Sequence, residues 1–284
     1  MVTLRSGRSK QSRVEFSVVV PSYNRATLLR RALDSILMQS YPAREIIVVD
    51  DGSSDATARM LRENYPFVRY CYQRHAGVSV ARNHGINLTS TRWIALLDSD
   101  DAWLPEKLRS QANAILNNPA AKLIHTNEIW YRNGKLLQQK KHHRKFGGMI
   151  FERCLPLCVI SPSSAVIRHD VFDYIGLFDE SLKACEDYDF WLRFCARESV
   201  EFVDEPLVQK FGGHLDQLSR RAESLDQYRI KSLKKLLDSG ILTSKQRRLT
   251  IATLREKISI YSAGAKKRGR NDEVTKYAAI AATY

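Results

Sequence analysis

Long apolar runs are missing from this chain. The longest, such as "CLPLCVI" and "EIIVVD", stop far short of the ~20 residues a membrane-crossing helix needs. The polar opening "MVTLRSGRSKQSR" has no apolar centre of the kind a signal peptide carries, so a globular, cytoplasmic protein is expected. Cysteine is sparse: Cys71, Cys154, Cys158, Cys185 and Cys195 are odd in number and lack the paired spacing of a zinc ribbon. They are read as reduced core thiols, with Cys154 and Cys158 on one helical face. Acidic residues are outnumbered, 31 against 45 Lys and Arg, for a net charge of +14. The excess base, concentrated in "RSGRSKQSR", "KKHHRK" and "KKRGR", predicts an anionic partner. No zinc finger, helix-turn-helix or aromatic RNA-binding signature is present, so nucleic acid is not the expected one. An anionic membrane surface or a phosphorylated substrate suits the same charge. G-x-G-x-x-G and the P-loop are also absent, which argues against a dinucleotide enzyme and an NTPase.

The chain does have 284 residues of 44% hydrophobic content, enough core for one large domain or one with an appendage. Its first half alternates strand and helix patterns. "FSVVV" reads as a buried parallel strand, and "ATLLRRALDSILMQS" after it carries Ala32 and Ile36 at helical spacing. "EIIVVD" with "SDATARMLREN", "FVRYCY" with "GVSVARNHGINL", and the strand "RWIALLD" repeat the unit, with Ser54 as a helix cap. Repeated crossovers of this kind give a doubly wound α/β sheet whose ligands sit beyond the carboxyl ends of the strands. After about residue 120 the pattern mixes and antiparallel strands are expected. From about Leu225 it is mostly helical, with Gly240 as a helix stop.

The unusual polar residues fall at those strand ends. "PSYNR" closes the first strand with Pro21, followed by Tyr23 and Asn24, and "VVDDGSSD" closes the second with Asp50 and Asp51 before Gly52. A carboxylate there can accept the imino N–H of a uracil or guanine base while an aromatic ring stacks on it, which points to a nucleotide subsite. "WIALLDSDDAWLPEKL" packs Asp98, Asp100 and Asp101 into four positions. Close carboxylates repel one another, and a divalent cation such as Mg2+ or Mn2+ removes that repulsion and in turn binds a diphosphate. The plainer reading has Asp100 or Asp101 capping the helix that begins near Pro105.

Taken together, "VVVPSYNRATLLRRALDSILMQSYPAREIIVVDDGSSDAT", "GVSVARNHGI" and "WIALLDSDDAWLPEKL" resemble glycosyltransferase family 2, inverting nucleotide-sugar enzymes of GT-A fold, over roughly residues 14 to 215. The resemblance implies that Pro21, Tyr23 and Asp51 hold the nucleoside and that Asp98, Ser99 and Asp100 handle ribose, metal and diphosphate, with Asp101 extending the motif. Arg82 and Asn83 lie where the family's helix faces the nucleotide-sugar, although an outward-facing salt bridge suits them equally. "GLFDESLKACEDYDFWLRFCARES" resembles the family's acceptor-side segment, with Glu186 and Asp187 opening a helix and Asp187 acting as general base. Asp189 is expected to pair with Arg193 at i, i+4. His214, after two glycines, is either a further metal ligand or structural, and Arg220 or Arg221 could neutralise the leaving group.

The implied organisation is a basic tail (1–13), a donor-binding half (14–120), an acceptor-binding and catalytic half (121–222) and a C-terminal helical extension (223–284). The implied activity is Mn2+- or Mg2+-dependent transfer from a nucleotide diphosphate sugar, UDP-linked by preference, to a glycan or lipid-linked acceptor in cell-envelope synthesis. The extension is open to three uses: covering the acceptor site, forming a homodimer, or lying on an anionic membrane. Two rivals stand beside this reading. A nucleotidyltransferase would show a glycine-rich basic phosphate loop where "PSYNRATLL" lies, and a non-catalytic nucleic-acid-binding module would rest on the basic surface alone.

Overall fold

A computed structural model describes residues 13–140, 143–213 and 224–284. Strand β1 (Phe16–Ser22) is buried along its whole length, and its side chains divide by parity: Val18 and Val20 join one apolar cluster, Val19 another. A strand covered on both faces lies inside a sheet. It is flanked in parallel by β2 (Glu45–Asp50) and β4 (Trp93–Leu96), and β3 (Arg69–Tyr72) adds in parallel beyond β2. β8 (Val166–Arg168) pairs antiparallel with both β4 and β6 (Leu123–Arg132), and β9 (Glu201–Gly212) runs parallel to β6. β5 (Ala102–Trp103) closes the edge against β9, and β7 (Lys135–Leu137) forms a hairpin on β6. The sheet order is therefore β3-β2-β1-β4-β8-β6-β9-β5, the doubly wound start and mixed continuation that the sequence predicts.

Helices α1 (Ala26–Leu37), α2 (Thr57–Asn64) and α4 (Lys107–Asn117) cover one face; α3 (Val78–Asn87), α5 (Phe151–Cys154), α6 (Val171–Ile175) and α7 (Glu186–Cys195) cover the other. Helix α3 lies unusually close to β1, because a Cβ on Gly85 would meet Val19 Cγ1 at 2.4 Å. That close approach sets the depth of Arg82, one turn earlier on the same helix. Helix α2 is not capped by Ser54: Ala56 occupies the cap position, and Asp55 accepts from Thr57 N at 2.9 Å and Ala26 N at 3.0 Å, tying the starts of α1 and α2 together.

Helices α8 (Leu225–Asp238), α9 (Ser244–Lys267) and α10 (Asn271–Thr283) follow, and Thr243 and Gln246 form a reciprocal capping box at the start of α9. Their Ile230, Leu233, Leu236, Leu254, Ile258 and Tyr261 belong to the same apolar cluster as Phe190, Trp191 and Leu192 of α7. The C-terminal helices thus share a core with the helix that carries Glu186 and Asp187. Each large apolar side chain buried there contributes roughly 1.5–3 kcal/mol, so α7 is held as a fixed platform. The five cysteines are all free; Cys154 and Cys195 are core residues as expected, while Cys71, Cys158 and Cys185 are only half-buried. Among the described residues no helix is long and apolar enough to cross a membrane.

Candidate active site

The carboxyl ends of β1, β2 and β4 open on two adjoining cavities of about 730 and 600 Å3, with Pro21, Arg25, Val78 and Ser99 in the walls of both. Tyr23, Asn24 and Asp51 line the larger one. The Tyr23 ring is 39% exposed and stacks on the His75 imidazole, with centroids 4.0 Å apart and planes 21° from parallel. Asn24, at φ 52°, donates its N–H to Ser53 Oγ and accepts from Ser54 N, both at 2.8 Å, which hooks the turn after β1 to the turn after β2. Asp51 is buried and heavily used: its carboxylate accepts from Gln73 Nε2 (2.7 Å), Ala76 N (2.9 Å) and Gly77 N (2.8 Å), with His75 Nδ1 at 2.8 Å. It shapes the 73–77 segment, and His75 is the side chain that this segment presents beside Tyr23. Nothing in the sequence singled out His75, because its role depends on a loop folding back over β2.

The acidic cluster opens into the smaller cavity, and each carboxylate has a cation of its own. Asp98 Oδ1 accepts from Arg82 at 3.0 Å, Asp100 Oδ2 lies 3.0 Å from Arg25 NH1, and Asp101 Oδ2 lies 2.9 Å from Lys210 Nζ. Asp101 also accepts from Ser163 Oγ at 2.6 Å. Burial, with Asp100 and Asp98 adding repulsion, pushes its carboxyl above the ordinary range, and Lys210 pulls the other way. Helix α4 begins at Lys107 with Glu106 at its cap, so neither Asp100 nor Asp101 caps it, against the plainer reading of the sequence. Part of the mutual repulsion is therefore relieved by protein cations. For a metal, Asp98 and Asp100 retain 26% and 16% side-chain exposure against 4% for Asp101. Asp101 is the least accessible of the three. Among the described residues no group of three His, Cys, Asp or Glu side chains is placed to hold a metal by itself, and His214 lies outside the described residues.

The second half of the chain reaches the same cavity through α7. Cys185 adopts a left-handed φ of 60° at the helix cap, and Glu186 and Asp187 follow in the first turn. Glu186 is buried and accepts from Arg82 NH1 at 2.9 Å. Arg82 is only 2% exposed, sits 4.8 Å from the Phe178 ring and joins Asp98 to Glu186. It is an inward-facing bridge between the two halves, not an outward-facing surface pair. Burial lifts the Glu186 carboxyl above its ordinary range, Arg82 restrains that rise, and Asp187 beside it adds to it. Asn83 turns elsewhere: its amide donates to Phe178 O and Glu180 Oε1 at 2.9 Å and accepts from Phe178 N at 3.0 Å. It anchors the loop before α7 and makes no wall of either cavity.

Asp187 lines the smaller cavity; Oδ1 accepts from Tyr188 N at 2.7 Å, and Oδ2 lies 3.2 Å from the Cys158 thiol. Burial, reinforced by Asp187, pushes the Cys158 thiol well up, so it stays protonated and able to donate. Asp189 pairs with Arg193 at 2.9 Å as the i, i+4 spacing predicts, and Lys235 of α8 joins at 2.8 Å.

Behind Trp130, which also lines this cavity, lies a buried ion pair. Glu128 is 3.1 Å from Lys145, takes the Trp130 indole N–H at 2.8 Å and accepts from Ser161 Oγ. Burial opposes the Glu128 charge, but Lys145, Lys210 and the two hydrogen bonds outweigh it and hold the carboxyl down to about 2, well below the ordinary carboxylate range. A depressed carboxyl stabilises the fold above its unfolded value and loses that contribution as pH falls. Denaturant midpoints should therefore fall between about pH 4.5 and 2 in the wild type, while Glu128→Gln, destabilised at neutral pH, shows a flatter profile. Parallel profiles for the two proteins would exclude this role.

Comparisons with known proteins bear on the family and the fold. The family model "Glycosyl transferase family 2" matches residues 17–176. An uncharacterized glycosyltransferase of Rickettsia typhi is 33% identical over 222 residues, which are 75% of this chain and 68% of that protein. The chain spans 31–35% of the length of three longer rickettsial relatives. WfgD of Escherichia coli, described as a UDP-Glc:α-D-GlcNAc-diphosphoundecaprenol β-1,3-glucosyltransferase, is 28% identical over 193 residues, 66% of this chain and 72% of that one. Among solved structures, Staphylococcus aureus TarS with UDP-GlcNAc superposes with a TM-score of 0.69 at 19% identity, covering 86% of this chain and 72% of that one. The mannosyltransferase PcManGT of Pyrobaculum calidifontis, with GDP-Man and Mn2+, gives 0.59 at 19% identity, covering 96% and 81%. At such identities the likeness is one of fold, and that fold is GT-A, as the sequence resemblance implies. With the family model spanning more than half its length, this chain belongs to glycosyltransferase family 2.

Proposed function

We propose that the protein transfers a sugar, with inversion, from a nucleotide diphosphate donor, UDP-linked by preference, to a hydroxyl of a glycan or lipid-linked acceptor in envelope glycan synthesis. The observation that carries this reading is a single cavity walled on one side by Asp98 and Asp100 and on another by Asp187. Tyr23 and His75 offer an aromatic surface to the base, and the Asp51-braced loop closes that subsite. The donor set suits a small divalent cation, since Mg2+ and Mn2+ are commonly held by one or two carboxylates together with substrate phosphates. Bound at Asp98 and Asp100, Mn2+ or Mg2+ would offset the negative charge of the diphosphate as it leaves. Asp187 takes the proton from the acceptor hydroxyl as that oxygen attacks the anomeric carbon from the face opposite the nucleotide. Arg82 and Glu186 keep the donor side and the α7 platform in register. The names of WfgD and TarS support a UDP-sugar and, for WfgD, a diphospholipid acceptor; PcManGT's Mn2+ supports the metal. The basic surface suits work beside an anionic membrane at the cytoplasmic face.

A screen of nucleotide sugars for Mn2+-dependent hydrolysis and transfer tests the reading, and absence of metal-dependent turnover with every donor would sink it. Asp100→Ala is expected to weaken metal-supported nucleotide binding by roughly 10–100-fold, as loss of one of two ligands should. Calorimetry showing undiminished affinity would remove Asp100 from the metal site.

A further inference from the structure

The cations around the smaller cavity are not equally available to a ligand. Among the described residues, Arg25, Arg82, Arg132, Lys210 and Arg229 line it. Arg25, Arg82 and Lys210 face Asp100, Asp98 with Glu186, and Asp101 at 2.9–3.0 Å. Arg132 is exposed at the end of β6. Arg229 differs in origin and meets a single carboxylate through one nitrogen. It comes from α8, beyond the 17–176 family match, and its side chain is only 22% exposed. A guanidinium carries five N–H donors. Here NH1 is 3.0 Å from Asp226 Oδ1, while the buried Nε has no hydrogen-bond partner. The Asp226 oxygen is itself shared, with Lys257 Nζ at 3.8 Å. Arg229 is thus a half-buried cation tied to one carboxylate through NH1 alone, so that NH2, which has no partner among the described residues, is left for an anion in the cavity.

Its position says which substrate brings that anion. The starts of α8 and α7 touch, with Cys185 Sγ 3.8 Å from Leu225 O, and Leu225, Cys185, Glu186 and Asp187 share the wall with Arg229. The guanidinium therefore belongs to the side of the cavity that holds the proposed base, while Asp98 and Asp100 stand on the donor side. We infer that Arg229 forms an oxyanion subsite for the acceptor, holding a phosphate ester or carboxylate carried next to the sugar whose hydroxyl is glycosylated. This rests on the glycosyl-transfer reading for the word acceptor, though not for the binding of the anion. A planar, bidentate guanidinium suits either oxyanion.

The test uses the full chain with excess UDP, GDP and Mn2+ to occupy the donor side. A panel of glycosyl 1-phosphates is titrated by calorimetry against the matching methyl glycosides and methyl uronosides. Wild type is expected to bind one anionic series at least tenfold more tightly than the neutral one, the scale of a charge-assisted hydrogen bond. Whichever series is preferred identifies the source of the charge. Arg229→Gln should bring the ratio to within about twofold, Arg229→Lys should retain part of it, and Arg132→Gln should leave it intact. Equal affinity for all three series in the wild type overturns the inference, as does an Arg229→Gln protein of native circular dichroism that keeps the preference. Anion preference without turnover of any donor would sink the glycosyl-transfer reading and leave the subsite standing; donor turnover without anion preference would do the reverse.

Discussion

Asp187→Asn is expected to lower kcat by about 10²–10⁴-fold, the range that a positioned general base supplies, while nucleotide affinity stays within about twofold. The amide is nearly isosteric, so the fold of α7 should survive: Tyr188 N and the Cys158 thiol both donate to Asp187, and an amide oxygen can still accept from one of them. What the amide lacks is basicity. The proposed nucleotide subsite of Tyr23, His75 and the 73–77 loop lies in the larger cavity, whereas Asp187 lines the smaller one and, among the described residues, hydrogen-bonds only to Tyr188 N and the Cys158 thiol. Initial-rate kinetics with donor and acceptor varied separately would show the split. An unchanged kcat would transfer the role of base to another group, and Glu186 is poorly placed to take it because Arg82 holds its Oε1.

Arg82→Met should cost about 3–5 kcal/mol of stability, the penalty for leaving a buried partner charge uncompensated. Arg82 is 2% exposed and Glu186 is 6% exposed, so water cannot replace the guanidinium, whereas Asp98 at 26% side-chain exposure can recover some solvation. The asymmetry leads to a second expectation. Arg82→Met combined with Glu186→Gln should recover a large share of the loss, because the cost lies in the orphaned carboxylate more than in the missing contact. Paired denaturant titrations of the two single variants and the double variant measure this. A loss under about 1 kcal/mol for Arg82→Met, or no recovery in the double variant, would show that an orphaned Glu186 carboxylate is not what the bridge prevents.

Much of the strand-end crevice was legible in one dimension. The continuous apolar run "FSVVV", the repeated strand and helix patterns and the clustering of polar residues at strand ends gave a parallel sheet with a crevice at its carboxyl edge. Those features are local, and burial of a strand on two faces leaves a continuous apolar run that needs no partner to be recognised. The i, i+4 pairing of Asp189 with Arg193 and the amphipathic α7 were readable for the same reason. The helix caps were less so: Ser54 lost to Ala56 because Asp55 bridges two helices far apart in sequence.

The contacts that give the site its electrostatics were not readable, because each joins residues distant in the chain. Sequence order shows three crowded carboxylates; it cannot show that Arg25, Arg82 and Lys210, drawn from the cap of α1, from α3 and from β9, each take one of them. Nor can it show Asn83 turned onto Phe178, Asp51 committed to its own loop, or Cys158 beside Asp187, since side-chain direction at these positions follows from how closely helix and sheet approach. The C-terminal helices are the clearest instance. Their periodicity predicts helices and leaves open what those helices do. Packing against α7 places them: burying Ile230, Leu233 and Leu236 in the core of α7 brings Leu225 and Arg229 into the wall of the cavity. Local pattern and motif order sufficed for the family and the strand-end crevice, while the pairing of charges and the completion of the cavity wall by α7 and α8 required the chain to fold, since both are made by long-range contacts between surfaces that only packing brings together.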